Sequence, residues 1–181
     1  MKKYIKELLV VVIFIFLISG CGNITDTPSA KVEKFMSKYQ RLDSEVLLQL
    51  DNVVSDNLDL SDIQKEDYRG LMERQYQDLS YKIKDEKING DNATVTVELE
   101  VYDYRNSLNK SEIYYENNKK EFQKEDGTLD LEKYWNYRIK QMKVVDDRIK
   151  QEIVFTFHKD DGKWVLEDLS DLDRDKIHGL Y

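Results

Sequence analysis

Cys21 is the one thiol in 181 residues, and it directly follows Ile18, Ser19 and Gly20 at the end of an apolar run. A cysteine reacts as its thiolate, and the small Ser19 and Gly20 leave both the thiol and the peptide bond before it open to a lipid donor and a peptidase. A free thiol and half of an intermolecular disulfide are the other fates of a lone cysteine. Its place immediately behind the apolar run argues against both. No second cysteine exists, so the chain has neither a disulfide staple nor a thiolate metal site.

Lys2, Lys3 and Lys6 precede the run Leu8 to Ile18, the layout of a secretory signal. A spanning helix needs about 20 apolar residues, and Gly20, Cys21, Gly22 and Asn23 stop the run short of that. An uncleaved anchor helix is the competing reading. The segment resembles the bacterial lipobox, with an aliphatic residue three places before the cysteine and small residues between them. Ile18 stands where leucine is commoner. The resemblance implies a signal peptide over residues 1–20, a diacylglyceryl thioether on Cys21 with a palmitate-like amide-linked chain, and a lipoprotein held at the cell membrane on its extracytoplasmic side. Two chains suffice for stable anchoring.

The remaining reactive side chains form no catalytic pattern. His178 falls in a terminal tail, and His158 falls at a strand end on the side of Val154 and Thr156. Asp103 and Asp168 also lie near strand ends, where a carboxylate is solvated; general acid–base work needs a shifted pKa in a dry cleft. Asp171, Asp173 and Asp175 imitate the start of a calcium loop. Lys176 replaces its turn glycine, however, and no twelfth-position Glu follows. No metal ligand set and no cofactor is expected. The tyrosines offer more: Tyr102 and Tyr104 are expected to leave the sheet opposite its valines, with Tyr114, Tyr115, Tyr134 and Tyr137 in the next elements. Converging, they would form an amphipathic patch for a peptide, a glycan or an envelope protein. The plainer reading is that they cover the sheet and seal helix contacts.

Composition narrows the partners. The chain carries 28 Lys and Arg against 36 Asp and Glu. Removing residues 1–20 takes away three Lys and one Glu, leaving 25 against 35 and a net charge of −10. Nucleic acid is excluded as a natural partner, and an acidic body has no general attraction to an anionic membrane face. The lipid on Cys21 must hold it there. About 160 residues then remain, enough for one core.

Elements follow from the hydrophobic period. Residues 21–26 form a short tether. Thr27 and Pro28 read as N-cap and first helical position, with Val32, Phe35, Met36, Tyr39 and Leu42 as an apolar stripe. A second helix, capped by Asp43 or Ser44, carries Val46, Leu47, Leu50, Val53 and Val54. Ser61 and Gln64 make a capping box for a third, through Tyr68, Leu71, Met72, Tyr76 and Leu79. Alternation then predicts a hairpin, Tyr81–Ile88 and Thr94–Tyr104, around Asn89-Gly90-Asp91-Asn92. Residues 105–127 read as a frayed helix or a mobile excursion. A helix from Asp130 and a hairpin around Lys159-Asp160-Asp161-Gly162 follow, with an acidic tail over 171–181 pinned by Leu169, Leu172, Ile177 and Leu180.

This is an α+β domain over 27–170, with N-terminal helices on a curved antiparallel sheet of about four strands. The stretches TPSAKVEKFMSKYQRLD, YKIKDEKINGDNATVTVELEVYDY and IVFTFHKDDGKWVLEDL resemble the nuclear transport factor 2-like, or cystatin-like, superfamily as it occurs in small bacterial lipoproteins. The Lys, Asn, Asp and Ile bias points to an AT-rich, Gram-positive source. The resemblance implies a sheet and helices that can enclose a pocket. Some members use that pocket for isomerase or dehydratase chemistry, and many others for binding or assembly. With no catalytic constellation here, a non-enzymatic binding or protein-interaction module is the leading expectation and a pocket enzyme the alternative.

Overall fold

A computed structural model describes residues 26–56 and 59–181. Residues 1–20, read above as a signal peptide with Ile18, Ser19 and Gly20 at its end, lie outside the described residues, as do Cys21 and most of the expected tether. Among the described residues no helix is long and apolar enough to cross a membrane.

Three helices come first. Helix α1 (Pro28–Gln40) starts where expected: the Thr27 hydroxyl accepts the Ala30 N–H at 3.1 Å, and proline occupies the first turn. Val32, Met36 and Tyr39 are buried. Leu42 lies beyond the helix in the left-handed region, φ 53°, and turns the chain into α2 (Ser44–Ser55). Val46, Leu50 and Val54 of α2 face inward, whereas Val53, expected in the same stripe, is 62% exposed. Helix α3 (Asp62–Asp78) opens with the reciprocal Ser61–Gln64 capping box. Gln64 is buried because its amide also reaches Glu132 O at 3.0 Å and Asn136 Oδ1 at 2.8 Å, tying α3 to a helix far along the chain.

The sheet is an antiparallel meander in the order β1-β2-β3-β4. Strands β1 (Ser80–Asn89) and β2 (Asn92–Tyr102) meet at a two-residue loop, where Gly90 takes φ 61°. Strands β3 (Arg148–Asp160) and β4 (Lys163–Leu166) turn through Asp161-Gly162, both with positive φ, as a tight hairpin demands. Val95, Val97, Leu99 and Val101 share one fully buried face with Ile153, Phe155 and Phe157, with Val95 opposite Phe155 and Val97 opposite Ile153. Helices α1 and α3 pack on that face. On the wet face Glu98 sits between Lys84 (3.4 Å) and Lys150 (3.2 Å), which hold its carboxyl below the usual range.

Three expectations change here. Residues 105–127 are neither frayed nor an excursion: α4 (Tyr104–Asn117) and α5 (Leu131–Lys143) form a helical pair joined by a 3-10 turn, Lys119–Phe122. Asp103 caps α4 by accepting the Asn106 N–H at 2.9 Å, and the buried Phe122 anchors the connection. The aliphatic residues there were sparse because aromatic side chains make the contact. The end of the chain is also more than a tail: α6 (Asp171–His178), capped by Ser170 and ended by left-handed Gly179, buries Ile177 completely and packs on α3, β2 and β3. Leu172, expected to help pin it, is exposed. Tyr102, finally, lies on the face opposite the valines, across the ladder from Arg148, but is buried there instead of open. The guanidinium groups of Arg74 (4.1 Å) and Arg148 (4.4 Å) lie over its ring, and its hydroxyl donates to Asp78 Oδ2 at 2.8 Å.

Candidate functional site: a phenol-lined cleft under the second helix

The expected tyrosine patch divides in two. Tyr104 is the first residue of α4 and is fully buried; its hydroxyl donates to Leu71 O at 3.3 Å, and burial pushes the phenol up to about 12. With Tyr102, stacked at 5.9 Å, it closes the joint between α3 and the sheet. Tyr114, Tyr115, Tyr134 and Tyr137 gather elsewhere, around Phe122. Tyr114 stacks on Tyr137 at 4.8 Å and donates to Glu121 at 2.9 Å; Tyr134 donates to Glu112 at 2.7 Å. The four hold α4 against α5, and two of them already have their hydroxyls occupied.

A different set of aromatic residues meets at open space. Beneath α2 lies a cleft of about 340 Å³, bounded also by α1, α3 and α6. Val46 and Leu50 from α2 and Met72 from α3 give it apolar walls. Tyr39, Tyr68, Tyr76 and His178 complete the lining. Tyr39 and Tyr76 stand edge to face at 5.0 Å, and the His178 ring lies 5.7 Å from Tyr76. Arg174 lines the cleft from α6, one turn before His178, with its guanidinium on Asp171 at 2.8 Å.

Burial sets the protonation states. It pushes the phenols of Tyr39, Tyr68 and Tyr76 above their ordinary value, Tyr76 furthest. It pushes the His178 imidazole down; nearby Asp175 opposes this and Arg174 reinforces it. At neutral pH the four groups are therefore uncharged. Among the described residues none of the three hydroxyls, nor the imidazole, takes a hydrogen-bond partner. None of these atoms is among the fully buried unpaired groups of the described residues, so their hydrogen-bonding capacity is open to whatever enters the cleft. No described carboxylate lines it.

The other candidates are engaged elsewhere. His158 is on the surface, with Nδ1 3.5 Å from Glu167 Oε1. Asp171 pairs with Arg174, Asp173 accepts from Ser170 Oγ at 2.7 Å and pairs with Lys176 at 3.0 Å, so these carboxylates serve the first turns of α6. Among the described residues no group of three or more His, Cys, Asp or Glu is placed to hold a metal ion.

Sequence reasoning assigned Tyr39, Tyr68 and Tyr76 to core stripes, and His178 to a tail. The available signal was their polar tips: a tyrosine on an apolar stripe buries its ring and must still place a hydroxyl. Three such tyrosines, on two helices that pack together, could have been asked where their hydroxyls go. Compared with known protein families, curated proteins and solved structures, the chain finds no match.

Proposed function

We propose that this chain is a lipid-anchored, extracytoplasmic binding module of the cell envelope, non-enzymatic, which holds a small and mostly apolar ligand in the cleft under α2. The observation that carries the reading is the meeting of three neutral phenols and a neutral imidazole, all without partners, on apolar walls. Ligand sites are concave and mostly apolar, with a few converging polar groups that fix orientation. Helices on one face of a four-stranded antiparallel sheet, with a cavity bounded by the helices, support a nuclear transport factor 2-like arrangement for the domain.

The anchor fits the same reading. Thr27, the cap of α1, lies six positions beyond Cys21. Even fully extended, that tether spans only about 20 Å. A lipid on Cys21 would hold the domain close against the membrane, where apolar molecules concentrate. Placing a photo-crosslinking residue at Asn52, which lines the cleft, tests the binding reading in the native envelope. A discrete small-molecule adduct is expected there and not at Asn118, the C-cap of α4. Identical adducts at the two positions would contradict it.

A further inference from the structure

One apolar stripe of α2 runs past the cleft into a second space. Val46, Leu50 and Val54 follow one another at four-residue spacing, so they share a face of the helix, and all three are buried. Val46 and Leu50 line the phenol-lined cleft, whereas Val54 lines an inner cavity of about 150 Å³ between α2, α3, α4 and α5. On α3, Tyr68 and Met72 repeat the arrangement one turn apart: Met72 lines the cleft, and Tyr68 lines both spaces. The two spaces are therefore neighbours along the α2–α3 pair, with Tyr68 and Val53 as their common wall.

The two differ in chemistry. Phenols and an imidazole share the cleft with apolar side chains, whereas Leu60, Leu108, Ile139 and Met142 make the inner cavity mostly aliphatic. Trp135 and Arg138 also line it, but Trp135 Nε1 and Arg138 Nε are shielded from solvent, and the guanidinium is held by Glu112 and the Tyr134 hydroxyl. Neither shielded atom offers an entering molecule a hydrogen bond. An alkyl chain, in contrast, gains affinity with each methylene it buries, and a dry aliphatic void of roughly 150 Å³ takes up benzene, about six carbons. From Val46 to Val54 the helix rises about 12 Å, the reach of an extended chain of about ten carbons. No hydrogen bond among the described residues holds the Tyr68 hydroxyl, so its ring can exchange rotamers without losing one.

Resting on the ligand cleft proposed above, we infer that its ligand is a single-chain amphiphile: the head stays among the phenols and His178, and the alkyl tail passes Tyr68 into the inner cavity against Leu108, Ile139 and Met142. The proposed anchor would hold both spaces near a membrane, the natural store of such molecules. Met72 and Met142 report the two spaces separately. The test is a titration of the full chain in nanodiscs of deuterated phosphatidylcholine, labelled with ¹³C-methyl methionine, with Met72→Leu and Met142→Leu assigning the two resonances. 1-Butanol should displace the Met72 resonance alone. 1-Decanol should displace both saturably, with an affinity for the free alcohol about a hundredfold higher or more. Leu108→Phe adds bulk inside the inner cavity; it should leave 1-butanol binding unchanged and weaken 1-decanol binding about tenfold or more. If Met72 follows both alcohols while Met142 follows neither, the cleft stands and the tail site is overturned. A Met142 response to 1-butanol equal to that for 1-decanol, or undiminished 1-decanol binding in Leu108→Phe, would overturn the tail site as well. Silence of both resonances would overturn it together with the cleft reading. Should Leu108→Phe not fold, the wild-type comparison of the two chain lengths decides alone.

Discussion

The side chain of Gln75 holds both backbone groups of Tyr102: its Oε1 accepts the Tyr102 N–H at 2.9 Å, and its Nε2 donates to the Tyr102 carbonyl at 3.3 Å. Gln75 is fully buried on α3, and Tyr102 ends β2. One amide thus completes the ladder where the strand leaves the sheet and ties the floor of the cleft to it. Gln75→Leu keeps the bulk and leaves a buried N–H and a buried C=O unpaired, each costing about 1–3 kcal/mol. A loss of about 2–6 kcal/mol is expected, visible as a lower urea midpoint with an unchanged slope.

Gly179 depends on the same joint. It ends α6 with φ 70°, and an added Cβ would meet the Tyr102 carbonyl and Gln75 Nε2. Gly162 is equally left-handed, φ 75°, with open space around it. Gly162→Ala should cost only the left-handed penalty of about 1–2 kcal/mol. Gly179→Ala should cost clearly more and reduce hydrogen-exchange protection across α6. Equal losses would show that α6 does not need this close approach.

His178 makes stability depend on pH in a definite direction. Burial holds its folded pKa below the ordinary value of about 6.5, with Asp175 and Arg174 the nearest charges and Tyr76 its ring neighbour. The unfolded chain therefore takes up the proton first as pH falls. Stability contributed by the neutral imidazole is complete above about 6.5 and is lost as pH drops through the window down to the folded pKa. In His178→Gln that part of the slope should vanish, so chemical denaturation of the two proteins between pH 7.5 and 5 should give diverging curves. Parallel curves would place the imidazole in water.

The proposed lipid on Cys21 would set location independently of the cleft. Cys21→Ala should leave an unprocessed precursor or a released protein that takes up no labelled fatty acid, with the urea midpoint of the folded domain unchanged. Normal lipid labelling of that variant would remove the anchor from the account.

Much of the fold was legible because local signals agreed. Thr27-Pro28 and Ser61 with Gln64 are helix starts whose chemistry is contained in four residues, and the alternation from Thr94 to Val101 could have only one buried face. The α4–α5 pair was obscure because Tyr114, Tyr115, Tyr134, Tyr137 and Phe122 hold it together, and rings with polar tips blur an apolar stripe. Helix α6 was read as a tail since its charges hide a single buried anchor, Ile177. Tyr102 is closed off for a tertiary reason: Arg74 and Arg148 come from other elements to cover it. The cleft was out of reach for the same cause, being assembled from four helices, each of which supplies an ordinary amphipathic stripe.

Native mass spectrometry of the full chain, released gently from its own membrane, tests the central claim most directly. The account predicts a processed protein carrying the lipid on Cys21 and one small non-covalent ligand. In Val53→Trp, which puts a bulky ring on the cleft wall, the lipid mass should remain and the ligand mass disappear. A wild-type protein without bound ligand, or a ligand that persists unchanged in Val53→Trp, would contradict it.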